Sequence, residues 1–249
     1  MGHSIEVSEE RGVRYLHFGT EWVQGAMRIA RPHQLVLAYT QEMLSFLLFR
    51  TAPLRVLMIG LGAGSLPKFF RKEIPATRIT VVEVNPAVIP IARNLFRVPD
   101  NDERLDVQVG DGYAWVHASA ETFDAIFVDG YDHRARPGRF ETMAFYEACA
   151  ARLAPQGVLV ANVFGQVRGH AQTMRLLHEA FPRAMLRLPS AESKNVVVTA
   201  FADPPPPPTT VAHLRARAAR LRERLGLPFH KWVHALQQHN PVELQSLFR

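Results

Sequence analysis

The 249-residue chain carries one cysteine, Cys149. That excludes an intramolecular disulfide and any zinc site built on cysteines. Within the helical-looking FYEACAARL the thiol reads as packed side chain. Long apolar runs are also missing, and none reaches the roughly 20 residues that cross a bilayer. The first residues, MGHSIEVSEERG, are polar and lack the pattern of a secretion signal. A reducing cytoplasm without membrane attachment is the expected setting. The 11 histidines show no clustered ligand spacing, so no metal is expected. No internal repeat is visible.

What is present is an ordinary globular composition, 47% hydrophobic and 21% charged, with a net charge of +6. Much of the excess lies in VAHLRARAARLRERL (211–225), which holds five arginines against one glutamate. A solvated helix face explains it, and nucleic acid is not the expected partner.

Residues 5–30 alternate and carry turn glycines, so VRYLHFG and WVQGAMRIA read as two strands of a hairpin. Residues 34–49 read as an amphipathic helix entered just after Pro32. Strands and helices then alternate. RVLMIG (55–60), RITVVEV (78–84), LDVQVGD (105–111), FDAIFVDGY (123–131) and VLVANVF (158–164) are strands. SLPKFFRKEI, PAVIPIARNLF, TMAFYEACAARLAPQG and HAQTMRLLHEAFP are helices, the third closed by Pro155 and Gly157. AMLRLP and NVVVTAFA end the series as strands. This order predicts a Rossmann-like, doubly wound α/β fold with a mostly parallel sheet. The domain reading is an N-terminal unit (1–50), a nucleoside-binding domain (51–203), a stiff proline linker (204–210) and a basic helical tail (211–249).

Ligands of such sheets sit at the carboxyl ends of the strands. Gly60, Gly62 and Gly64 follow the first strand, where a turn into a helix needs bare backbone. Glu83 ends the second, 23 residues after Gly60, and could accept from both hydroxyls of a ribose. Asp111, followed by Gly112, ends the third, and a carboxylate there could accept from an exocyclic amine. Ser65 stands where a dinucleotide fingerprint would carry its last glycine, which favours an adenosyl ligand without a diphosphate. Asp129 and Asp132, past the fourth strand, could bind a cation or take a proton from an amine.

VLMIGLGAGSLPKFF, ITVVEVNPAVIPIAR, RLDVQVGDGYAWV, FDAIFVDGYD and FYEACAARLAPQGVLVANV together resemble the spermidine synthase-like polyamine aminopropyltransferases. These have the class I methyltransferase fold, and the resemblance runs from about residue 13 to about 200. It implies aminopropyl transfer from decarboxylated S-adenosylmethionine to an amine such as putrescine. On this resemblance Gly60, Gly62 and Gly64 line the methionine-like part of the donor. Glu83 holds its ribose, and Asp111 and Gly112 face its adenine. Asp129 accepts the proton of the attacking amine, and Asp132 helps to hold its cationic groups. Gln24 resembles the glutamine before the gate to the amine site, and Tyr39 lies one position from the family's substrate-site tyrosine. A homodimer is implied too. Ala63 replaces the aspartate usual at the first turn, and basic HRAR follows Asp132. Two alternatives stay open: a methyltransferase using S-adenosylmethionine, and a degenerate nucleoside-binding or scaffold protein.

Overall fold

The computed structural model describes residues 4–19, 22–50, 52–130, 138–164, 170–207 and 210–247. Strands β1 (Ile5–Glu10), β2 (Val13–Phe18) and β3 (Val23–Arg28) form a small antiparallel sheet. The expected hairpin is β2–β3. β1 adds a third strand that its exposed, polar IEVSEE conceals, pairing with β2 from Ile5 opposite Phe18 to Glu10 opposite Val13.

The expected helix over 34–49 is shorter and split. Leu37 is still extended, α1 covers Ala38–Glu42, and a 3-10 helix follows over Met43–Leu48. Every residue of that 3-10 segment is buried, Ser45 included, so it has no polar face.

The alternating units follow: β4 (Arg55–Ile59), α2 (Ser65–Glu73), β5 (Arg78–Glu83), α3 (Val88–Phe96), β6 (Leu105–Val109), α4 (Gly112–Ala118) and β7 (Phe123–Val128). After a 3-10 turn (Gly138–Phe140) come α5 (Met143–Ala151), β8 (Leu153–Phe164), α6 (His170–Ala180), β9 (Met185–Pro189) and β10 (Asn195–Phe201). Helices α7 (Val211–Leu225), α8 (Phe229–His239) and α9 (Pro241–Leu247) complete the chain. Pro155 and Gly157 do not close a helix. α5 ends at Ala151, and both residues lie in the irregular start of β8, where the ladder to β7 shifts register between Phe123 and Ala125.

The seven strands run in the order β6-β5-β4-β7-β8-β10-β9. β6, β5, β4, β7 and β8 are parallel, and β10 is antiparallel to both its neighbours. This is the α/β, doubly wound architecture expected. Strand residues alternate between two cores. Val56, Met58, Val81 and Phe127 pack on one face with α2, α3, α7 and α8. Leu57, Ile59, Val82 and Ile126 pack on the other with α4, α5 and α6. Helices on both sides explain why these strands are apolar throughout. The order reverses at β4, so the carboxyl ends of β4 and β7 part their helices and leave a crevice.

Candidate active site

A cleft of about 920 Å³ occupies that crevice. Gln24, Tyr39, Gly60, Gly62, Glu83, Asp111, Gly112 and Asp129 all line it. Asp132 lies outside the described residues.

The glycine turn brings two strand ends together. Gly60 has φ of +99°, and a Cβ on it would meet the Asp129 carbonyl oxygen at 2.4 Å. Only glycine allows both the conformation and the approach. Gly62 faces the Gln24 carbonyl, and Gly25 lies so close to Ala63 that a Cβ would reach its side chain at 2.6 Å. The N-terminal sheet is thereby seated on the turn, which delivers Gln24 to the cleft. Gly64 has another task. It caps α2 in the left-handed region against Val98 and is not among the lining residues.

Glu83 is 7% exposed. Its Oε2 accepts from the Leu61 N–H and its Oε1 from the Asn85 N–H, both at 2.9 Å. Burial pushes its carboxyl up from the usual range, against those backbone donors. Asp111 does not end a strand. It lies two residues beyond β6 and caps α4, accepting from the Ala114 N–H at 3.0 Å. Its Oδ2 accepts from Arg139 at 3.4 Å, and that guanidinium stands 4.2 Å from the centre of the Tyr113 ring. Gly112 leaves room for Ile59.

Asp129 follows β7 and is held on both sides. Tyr39 donates to Oδ2 at 3.1 Å, and the Asn162 amide donates to Oδ1 at 2.8 Å. Asn195 in turn donates to the Asn162 carbonyl oxygen at 2.7 Å. Burial raises the Asp129 carboxyl, while the two donors act the other way. Burial, and then the charge of Asp129, hold the Tyr39 phenol well above its ordinary value. The result is an oriented carboxylate with lone pairs left for a ligand.

Sequence reasoning missed Asn162, Asn195, Arg139 and Phe140, all of which line the cleft. Asn162 gave a signal, as a lone amide in the apolar VLVANVF of a central strand. Such a group needs a buried partner. Lys194 also lines the cleft, and Trp22 stacks on Phe164 with ring centres 5.6 Å apart. Among the described residues no three His, Cys, Asp or Glu side chains gather as a metal site. No helix of the described residues is long and apolar enough to cross a membrane.

The cleft is thus lined by two carboxylates, Glu83 at the end of β5 and Asp129 just after β7, on either side of β4. Residues 37–188 match the family model described as "Spermine/spermidine synthase domain". The chain belongs to the spermine/spermidine synthase family. One relative in that family, named polyamine aminopropyltransferase, from Chromobacterium violaceum, is 36% identical over 95% of this chain and 90% of its own. The structure of a probable spermidine synthase from Corynebacterium glutamicum superposes with a TM-score of 0.70. It is 20% identical and covers 93% of this chain and 91% of its own. Human Methyltransferase-like protein 13, solved in complex with SAH, gives a TM-score of 0.69 at 22% identity, covering 78% of this chain and 94% of its own. Both structures share the fold.

Proposed function

We propose that this transferase moves an aminopropyl group from decarboxylated S-adenosylmethionine to a small amine, putrescine being the first candidate. The observation that carries the reading is Asp129, fixed between Tyr39 and Asn162 in the cleft that Glu83 also lines. Glu83 accepts from the ribose hydroxyls of the donor. Gly60, Gly62 and the Leu61–Ala63 backbone face its sulfonium end, and Asp111 with Gly112 faces the adenine. The amine nitrogen bonds to the aminopropyl carbon on the sulfonium sulfur. The C–S bond breaks, its electron pair stays on sulfur, and neutral methylthioadenosine leaves. The proton of the attacking nitrogen passes to Asp129. A sulfonium carbon is already activated, so orientation supplies most of the acceleration. A positioned base adds about 10²–10⁴-fold. Asp132 and Gln24 are assigned to the acceptor amine. On the family resemblance the working form is a cytoplasmic homodimer.

A methyl-transfer reading draws on Ala63, which lines the cleft where members of the family commonly carry an aspartate. Titration calorimetry with decarboxylated S-adenosylmethionine and with S-adenosylmethionine separates the two. Aminopropyl transfer requires the decarboxylated donor to bind tighter. Tighter binding of the carboxylated donor would replace it with methyl transfer, and silence from both would leave a degenerate binding protein.

A further inference from the structure

A second pocket shares none of the catalytic cleft's lining residues. It measures about 290 Å³ and lies between Phe49, Pro206, Pro207 and residues 213–220 of α7. Phe49, Pro206, Pro207 and Ala216 supply its apolar walls, and His213, Arg217 and Arg220 its polar ones. The prolines contribute no N–H, so the donors come from α7.

The two guanidiniums are not neutralised. Among the described residues neither forms an ion pair with a carboxylate; the arginines that do are others. Arg217 is half-buried and anchored, its Nη1 donating to the Leu48 carbonyl oxygen. Burial, then the like charge of Arg220, hold Arg217 below its usual range. Two like charges one turn apart, one of them fixed, form a concave cationic surface that stays repulsive until an anion arrives. Phe49 is braced edge-on by Phe201, with ring centres 5.2 Å apart, so the apolar wall is rigid as well.

We infer that this pocket is an anion site for a phosphoryl group, with Arg217 and Arg220 as its donors and Phe49 as an apolar platform beside it. Planar guanidiniums match phosphate oxygens with paired hydrogen bonds. The concave shape and the single pair of guanidiniums suit one phosphate rather than a nucleic-acid backbone, which needs an extended track of contacts. Two sources fit this chemistry: free inorganic phosphate, and a phosphate monoester whose ring would lie on Phe49.

The test is calorimetry on the full chain with inorganic phosphate, phenyl phosphate and a short single-stranded oligonucleotide. R220E is the main variant, because Arg220 is exposed and, among the described residues, makes no hydrogen bond or ion pair. Phosphate or phenyl phosphate should bind the wild type, and R220E should weaken that binding at least about tenfold, as loss of a charge-assisted pair would. Its aminopropyl transfer should not change, and its melting temperature should not fall, since the repulsion with Arg217 is removed. R217K keeps a charge but loses the fork, and should weaken binding several-fold. Phenyl phosphate binding at least tenfold tighter than phosphate assigns the monoester, and equal affinities assign the free ion. Equal binding by wild type and R220E, no heat from either small anion, or binding of the oligonucleotide alone would overturn the inference.

Discussion

Burial holds the Asp129 carboxyl above its usual range, while Tyr39 and Asn162 donate to its charged form. Folding therefore favours the protonated state, and the contribution of this group to stability falls as pH rises through the shifted range. D129N should lower kcat by at least about 10²-fold, the scale of a lost general base. Its thermal melt at neutral pH should lie no lower than that of wild type. Y39F removes a donor to the carboxylate, so the acidic limb of the kcat–pH profile should move to higher pH. On the proposed reading Glu83 binds the donor and takes no part in the chemical step. E83Q should raise KM for the donor about 10–100-fold with little change in kcat, from one weakened charge-assisted bond of about 1.5–3 kcal/mol. Steady-state kinetics against donor concentration read this directly. Gly60, Glu83 and Asp129 were legible in the sequence because a residue at a strand's carboxyl end has a known location once the strand order is inferred. Asn195 and Arg139 were not, because only the fold brings Asn195 to Asn162 and Arg139 to Asp111, and the lone amide of Asn162 signalled a buried partner without naming it. Asp111 was read as a strand end because the helix it caps was not recognised.

At the scale of elements, α2 and α3 meet through a buried lysine. Lys68 is 5% exposed and donates to the Phe96 carbonyl oxygen at 2.6 Å, at the last turn of α3. Burial first, then the charge of Arg97, lower its ammonium to about 7. Between about 7 and the usual lysine value the unfolded chain binds more protons, so stability rises with pH across that window. K68M should raise the melting temperature most below pH 7, and its advantage should shrink as pH rises toward 10. Parallel pH series of thermal melts check this, and an advantage independent of pH would contradict it. The apolar strands were legible from composition because helices cover both faces. The 34–49 segment was not, since its apolar spacing suggested a stripe while packing buries every side of Met43–Leu48. Nor was the start of β8, where Pro155 and Gly157 sit in an irregular strand with Gln156 in the left-handed region.

For the whole molecule, the arginine count of residues 211–225 drew attention to the exposed side of α7. The buried side carries Leu214, Ala218 and Leu221, and α8 adds Phe229, Trp232, Val233 and Leu236 to the same core. Burying each large side chain contributes about 1.5–3 kcal/mol. Leu214, Leu221, Phe229, Trp232 and Leu236 together match the ~5–15 kcal/mol net stability of an ordinary domain. A chain ending at Asp203 should therefore be aggregated or unfolded, as size-exclusion chromatography and circular dichroism would show. The central claim, aminopropyl transfer by Asp129, is tested most directly by product analysis. Wild type and D129N are each incubated with putrescine and either donor, and the nucleoside products are read by mass spectrometry. Methylthioadenosine and an aminopropylated amine from the decarboxylated donor, abolished by D129N, are the expected result. S-adenosylhomocysteine from S-adenosylmethionine, with no methylthioadenosine from the other donor, would contradict it.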